Sequence, residues 1–126
     1  LAAVVPLFTQ LASQQQAEAV ANNLSKFLRP GGLVTTLTET QQQWDSPNGW
    51  APLQWFAAIG LENYGFNGQA QDIKQRWVNL VRDYYDKNRA VLEKYNVCDI
   101  QHAASGGEYE VQLGFGWTNG VYRAFN

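Results

Sequence analysis

Little in this chain of 126 residues can form a covalent crosslink or hold a metal. The single cysteine, Cys98, excludes an internal disulfide and a cysteine metal cluster, and is expected to be a small buried side chain. The single histidine, His102, has no partner at metal-ligand spacing and is expected at the surface. Charged residues make up only 16%, with a net charge of -2. Such a balance offers no basic stripe to nucleic acid and no polybasic patch to a membrane. No apolar run approaches the ~20 residues that span a bilayer. Leu1 to Leu11 lack the basic start of a signal peptide, so none is expected there. There is no repeat at a fixed period, no convincing strand alternation, no phosphate-cradling glycine loop and no Ser-His-Asp arrangement.

What is present is apolar and aromatic. Apolar residues reach 45% and aromatics 13%, with five tryptophans and six tyrosines. The length suits one small folded unit with its own core. Aromatic excess fits a carbohydrate cleft, and it equally fits a helical core rich in large side chains.

The helical patterns are clear. Ser13 and Gln16 form a capping box. A helix should follow from about Gln14 to Leu28, with Ala17, Val20, Ala21, Leu24, Phe27 and Leu28 on one face. Asn23-Leu24-Ser25 reads as a glycosylation sequon, but a helix interior argues against its use. Pro30-Gly31-Gly32 stops this helix. Pro52 suits the first position of the next, which should end at Tyr64 with Gly65 beyond it. That helix is apolar almost all round, so burial on both sides is expected. An amphipathic helix should run from about Gln69 to Tyr95, with an interruption near Asn88. The periodicity is lost from Asn96 to Gly116, and a last helix begins near Trp117. Leu1 to Gln10, apolar around Pro6, reads as a buried linker or helix end.

Two long loops separate these helices. The first, Pro30 to Pro52, holds three prolines, three glycines and two tryptophans. Loops this long inside compact units are usually functional or disordered, and two tryptophans argue against disorder. Gln43, Trp44 and Asp45 place an amide, an indole and a carboxylate side by side. An indole covers the apolar face of a pyranose and the polar neighbours take its hydroxyls. In the competing reading Trp44 and Trp50 anchor the core and Asp45 caps a turn. Leu33 to Thr38 is rich in β-branched residues and could be extended, but irregular loop wall is the favoured reading.

The run Gln43-Trp44-Asp45-Ser46-Pro47-Asn48-Gly49-Trp50-Ala51-Pro52 resembles the signature of the trehalases, inverting glycoside hydrolases that split trehalose into two glucoses. A second stretch, Gly106-Gly107-Glu108-Tyr109 through Gly114-Phe115-Gly116-Trp117-Thr118-Asn119-Gly120, resembles their C-terminal motif. The likeness covers essentially the whole chain, but corresponds only to the C-terminal part of such an enzyme. It implies an all-α fold, part of an (α/α)6 toroid of paired inner and outer helices with the sugar at one end.

The resemblance also assigns roles. Taken alone, Glu93 beside Lys94 reads as a solvated helix-end charge. Glu93-Lys94-Tyr95 resembles the family's Glu-Lys-Tyr motif, whose Glu is the general base. The family usually carries Asp after this Tyr, where this chain has Asn96. Glu108 matches a substrate-binding Glu in the glycine-rich run, which is shortened here by Ala103-Ala104-Ser105. Gln43, Trp44 and Asp45 would line the cleft, and Trp117 would lie at its floor or pack in the core. The family's general acid and sugar-holding arginines lie upstream of this chain, so the segment alone is expected to be inactive. The implied partners are trehalose and the N-terminal remainder of the enzyme, with no nucleic acid, membrane, metal or cofactor. The compartment stays open, periplasm or secretion being slightly favoured over cytoplasm. Two other readings stand beside this one, a related helical hydrolase acting on another glucoside and a non-catalytic sugar-binding helical domain.

Overall fold

The computed structural model describes residues 1–102, 104, 107 and 109–126. About half of the chain is helical: α1 Val5–Phe8, α2 Gln14–Leu24, α3 Ala51–Asn63, α4 Asn67–Asn88 and α5 Gly116–Phe125. Two short antiparallel ladders complete it, β1 Leu28–Arg29 with β2 Gly32–Leu33, and β3 Asn48–Trp50 with β4 Lys94–Asn96. Apart from the β-branched run that begins at Leu33, the sequence does not announce these ladders, because two or three residues are too few for an alternating pattern.

Local chemistry sets most helix ends. Ser13 Oγ accepts from Gln16 N–H at 3.2 Å and Gln16 Oε1 accepts from Ser13 N–H at 2.8 Å, the reciprocal cap expected at the start of α2. That helix ends at Leu24, four positions short of the expected Leu28. Leu28 instead pairs with Leu33 across the Pro30-Gly31 turn. Pro52 lies in the first turn of α3, where its missing N–H has no helical partner to lose. Gly65 follows the end of α3 at φ +84°, a conformation that favours glycine. Leu1 to Gln10 forms a 3-10 turn, Ala2–Val4, and α1, whose Leu7 packs on Gly60 of α3. A Cβ at Gly60 would stand 2.9 Å from Leu7 Cβ and from the Phe8 nitrogen, so this position holds the two helices in close contact.

Helix α4 stops at Asn88 rather than at Tyr95. Arg89 turns left-handed at φ 54° and its N–H reaches back to the Tyr85 carbonyl at 2.7 Å. Glu93 is therefore not a helix-end residue; it precedes β4. Burial on both sides of α3 is not reached within this chain. Ala57, Ala58 and Leu61 are buried, but Trp55, Phe56 and Ile59 stay partly exposed.

Gln54 is the polar exception inside α3. Fully buried, it accepts from Leu33 N–H at 2.7 Å and donates to Leu33 O at 2.8 Å. Its amide acts as a missing strand partner for β2 and ties the first loop to α3. Farther along, Thr35 N–H and Oγ1 both donate to Asn48 O, at 3.1 and 2.8 Å. The segment expected as irregular loop wall is thus pinned to β3. Cys98, expected buried, is half-buried, with its Sγ 3.8 Å from Ser46 Oγ. His102 lies at the surface, 2.7 Å from Asp99. Among the described residues no helix is long and apolar enough to cross a membrane.

Candidate active site

Ladder β3–β4 brings the two loops together. Its register sets Trp50 opposite Lys94 and Gly49 opposite Tyr95. A side chain at Gly49 would run into Val97 and the Leu33 carbonyl, so this close approach needs glycine. Directly before β4, Leu92 bridges to Leu113, Glu93 N–H donates to Gln112 O at 2.9 Å, and Gly114 N–H donates to Val91 O at 2.8 Å. The second loop thereby runs alongside the chain at Glu93.

Helix α5 fixes the same backbone from another side. Trp117 Nε1 donates to Glu93 O at 3.0 Å, and Thr118 Oγ1 donates to Leu92 O at 2.6 Å. Tyr95 contributes from within β4, its hydroxyl accepting from Leu92 N–H at 2.9 Å. Burial pushes the Tyr95 phenol up to about 12. Four groups therefore hold two successive residues, Leu92 and Glu93.

Glu93 itself is buried, at 4% exposure, which corrects the reading of a solvated charge. Its Oε1 accepts from the Tyr109 hydroxyl at 2.9 Å, while its Oε2 is buried without a hydrogen-bond partner among the described residues. Lys94 is fully buried, with Nζ 5.6 Å from the Trp50 ring centre and 5.8 Å from that of Tyr109. Burial pushes the Lys94 ammonium below its ordinary range, and the charge of Glu93 acts the other way. The Tyr109 phenol is raised, first by its hydrogen bond to Glu93, then by burial and by the Glu93 charge; a hydrogen bond with the Gln43 amide opposes this.

The first loop supplies an aromatic wall. Trp44 stacks on Trp50 with ring centres 3.9 Å apart and planes 6° from parallel. Trp50 meets the Trp117 ring edge-on at 5.7 Å, and its Nε1 donates to Gln43 O at 3.1 Å. Trp50 is 1% exposed and anchors the stack, whereas Trp44 keeps 45% of its surface open. Gly107 is seated against this wall. Its N–H donates to Gln41 O at 3.1 Å, and a Cβ there would stand 2.9 Å from Gln43 Cβ and 3.2 Å from Lys94 Nζ.

Of the residues singled out in the sequence, Glu93, Gln43, Trp44 and Trp117 are joined by these contacts. Asp45 lies on the same loop but turns into it. It accepts from Thr36 Oγ1 at 3.1 Å and from Thr40 N–H at 3.1 Å, and Thr40 Oγ1 makes a further bond. Thr40 is the main cause of an Asp45 carboxyl held below its ordinary range. Glu108 lies outside the described residues. Tyr109, Lys94 and Trp50 were not singled out as site residues, although Trp50 and Tyr109 sit inside the two long motifs and Lys94 inside Glu93-Lys94-Tyr95. Tyr109 directly follows Glu108, and Lys94 directly follows Glu93. Among the described residues no group of three or more His, Cys, Asp or Glu could hold a metal ion.

A half-helical frame that seats a buried carboxylate beside stacked tryptophans has the make-up of an α-helical glycosidase domain. The family model for trehalase matches residues 1–125, and the chain belongs to that family. It is 49% identical over 121 residues to the periplasmic trehalase of Pseudomonas aeruginosa, a match covering 95% of this chain and 22% of that protein. Among solved structures it resembles the neutral trehalase Nth1 of Saccharomyces cerevisiae, with a TM-score of 0.74 and 32% identity over 94% of this chain and 22% of that one. The chain thus spans about a fifth of the length of the relatives it matches.

Proposed function

We propose that the chain is the base-bearing segment of an inverting α,α-trehalase. In this reading Glu93 takes a proton from a water attacking one anomeric carbon of trehalose. A carboxyl group outside this chain, about 6.5–9.5 Å away across the sugar, protonates the bridging oxygen. One β- and one α-glucose leave. The observation that carries the reading is Glu93: a buried carboxylate with one oxygen engaged by Tyr109 and the other without a partner among the described residues. An oxygen already committed to protein donors is a poor proton acceptor, so Oε2 is the one assigned to the water.

Trp44, half open above buried Trp50, serves as the sugar platform, with Gln43 and Glu108 taking hydroxyls and Asp45 holding the loop that presents them. Trp117, whose N–H is spent on the Glu93 carbonyl, acts at the cleft floor by holding the base.

The remainder of the enzyme completes an (α/α)6 toroid. A groove of about 320 Å³ between α3 and α5, lined by Pro52, Trp55, Phe56, Trp117, Val121 and Ala124, is where its helices would cover the apolar face left open here. The segment alone carries one of the two carboxyls that inversion needs and is inactive without its remainder. The periplasm is the favoured compartment, since the Pseudomonas relative is named a periplasmic trehalase.

NMR of the sugars released in the first turnover of the complete enzyme tests the stereochemistry. One α- and one β-glucose are expected. Two α-glucose units would exclude inversion.

A further inference from the structure

We propose that Tyr109 is a positioning residue for Glu93, its phenol holding Oε1 so that Oε2 is the oxygen presented to the reacting water. The proposal rests on the reading of Glu93 as general base given above. A glutamate side chain has three rotatable bonds, so a fixed backbone does not fix its carboxylate. The contacts from Trp117 and Gln112 reach only the Glu93 main chain. Among the described residues, the hydrogen bond that reaches the carboxylate comes from the Tyr109 hydroxyl, at 2.9 Å. A general base must meet its proton within about 3 Å, so losing this bond releases the reacting atom rather than the fold.

Tyr109 is itself held for the task. Its ring stands 5.8 Å from Lys94 Nζ, and the Gln43 amide bears on its hydroxyl. Two residues earlier, Gly107 adopts φ +104° and its N–H donates to Gln41 O, which seats Gly107 between Gln43 and Lys94. Lys94 and Tyr109 are titratable groups that feel the Glu93 charge. The phenol is raised above its ordinary range, so it remains a hydrogen-bond donor across the neutral range and does not compete for the water's proton.

The test uses Tyr109→Phe in the complete enzyme, with Glu93→Gln and the double variant beside it. Hydrogen bonds to charged groups are the strong ones, so kcat should fall about tenfold to a hundredfold in Tyr109→Phe. KM should stay within about threefold, since no sugar contact is removed. In the Glu93→Gln background the same change should leave the residual rate unaltered, because a residue acting through Glu93 has nothing left to position. A structural role would instead lower the rate in both backgrounds, and a sugar-binding role would raise KM; either result overturns the proposal. So does a Tyr109→Phe enzyme with the parent's kcat. If Glu93→Gln keeps near-normal turnover, the assignment of the base itself falls, which is a separate outcome.

Discussion

Trp117→Phe separates two roles that one indole could play. The change keeps an aromatic ring but removes the N–H that donates to the Glu93 carbonyl at 3.0 Å. A buried carbonyl left without its donor costs about 1–3 kcal/mol. The edge-on contact with Trp50 at 5.7 Å weakens as well, by up to about 1 kcal/mol for an aromatic pair. The sum is about 1–4 kcal/mol, partly recovered because Thr118 and Tyr95 still hold Leu92 next door. The strain falls on the residue that carries the proposed base, and a displacement near 1 Å at a reacting group can reduce rate about a hundredfold. Steady-state kinetics of the complete enzyme on trehalose should therefore show kcat reduced about tenfold or more, KM within about threefold, and a melting temperature lower by a few degrees. A tenfold rise in KM with kcat preserved would make Trp117 a sugar platform and would refute the clamp.

Three further outcomes follow from the same contacts. Gln54→Leu orphans both the N–H and the carbonyl of Leu33 and should destabilise by about 2–5 kcal/mol in denaturant titration; a loss under about 1 kcal/mol would show that β2 does not depend on the amide. Gly107→Ala meets a left-handed φ of +104° and a Cβ position 2.9 Å from Gln43 Cβ, and should reduce trehalose turnover at least several-fold with little change in melting temperature; full activity would remove Gly107 from the site. Asp45 is held below its ordinary carboxyl range by its threonine partners, so its stabilisation is intact above the unfolded value of 3.8 and is lost as pH falls through the lowered folded value. Thermal melts in acid should show Asp45→Asn flattening that part of the pH dependence; an unchanged acid limb would count against the Thr36 and Thr40 contacts.

Features decided by neighbouring residues were legible before any coordinates. The Ser13–Gln16 cap, the start of α3 at Pro52, its end before Gly65 and the break near Asn88 all arise from short-range chemistry, and each appears at or within a residue of its expected place. Features decided by distant neighbours were not. Leu28 has a helical address in the sequence, but Leu33 offers it a strand partner. Val91 to Tyr95 extend the apolar stripe of α4, yet the second loop and α5 claim Leu92 and Glu93 by hydrogen bonds. The burial of Glu93-Lys94 has no local signature, since two adjacent charges ordinarily mark a surface; the aromatic rings of Trp50 and Tyr109 beside Lys94 and the Tyr109 hydroxyl on Glu93 are contacts that come from distant segments. The motifs brought out Gln43, Trp44, Glu93 and Trp117, whereas the Tyr109 hydroxyl, although inside the second motif, becomes visible only once the loops are seen to meet.

The most direct measurement is Glu93→Gln in the complete enzyme, with trehalose hydrolysis and trehalose binding measured on the same sample. Amide and carboxylate have nearly the same shape, and both accept from Tyr109, but an amide takes no proton from water. Turnover should collapse while binding stays within a few-fold of the parent. Near-parental turnover would contradict the account at its centre.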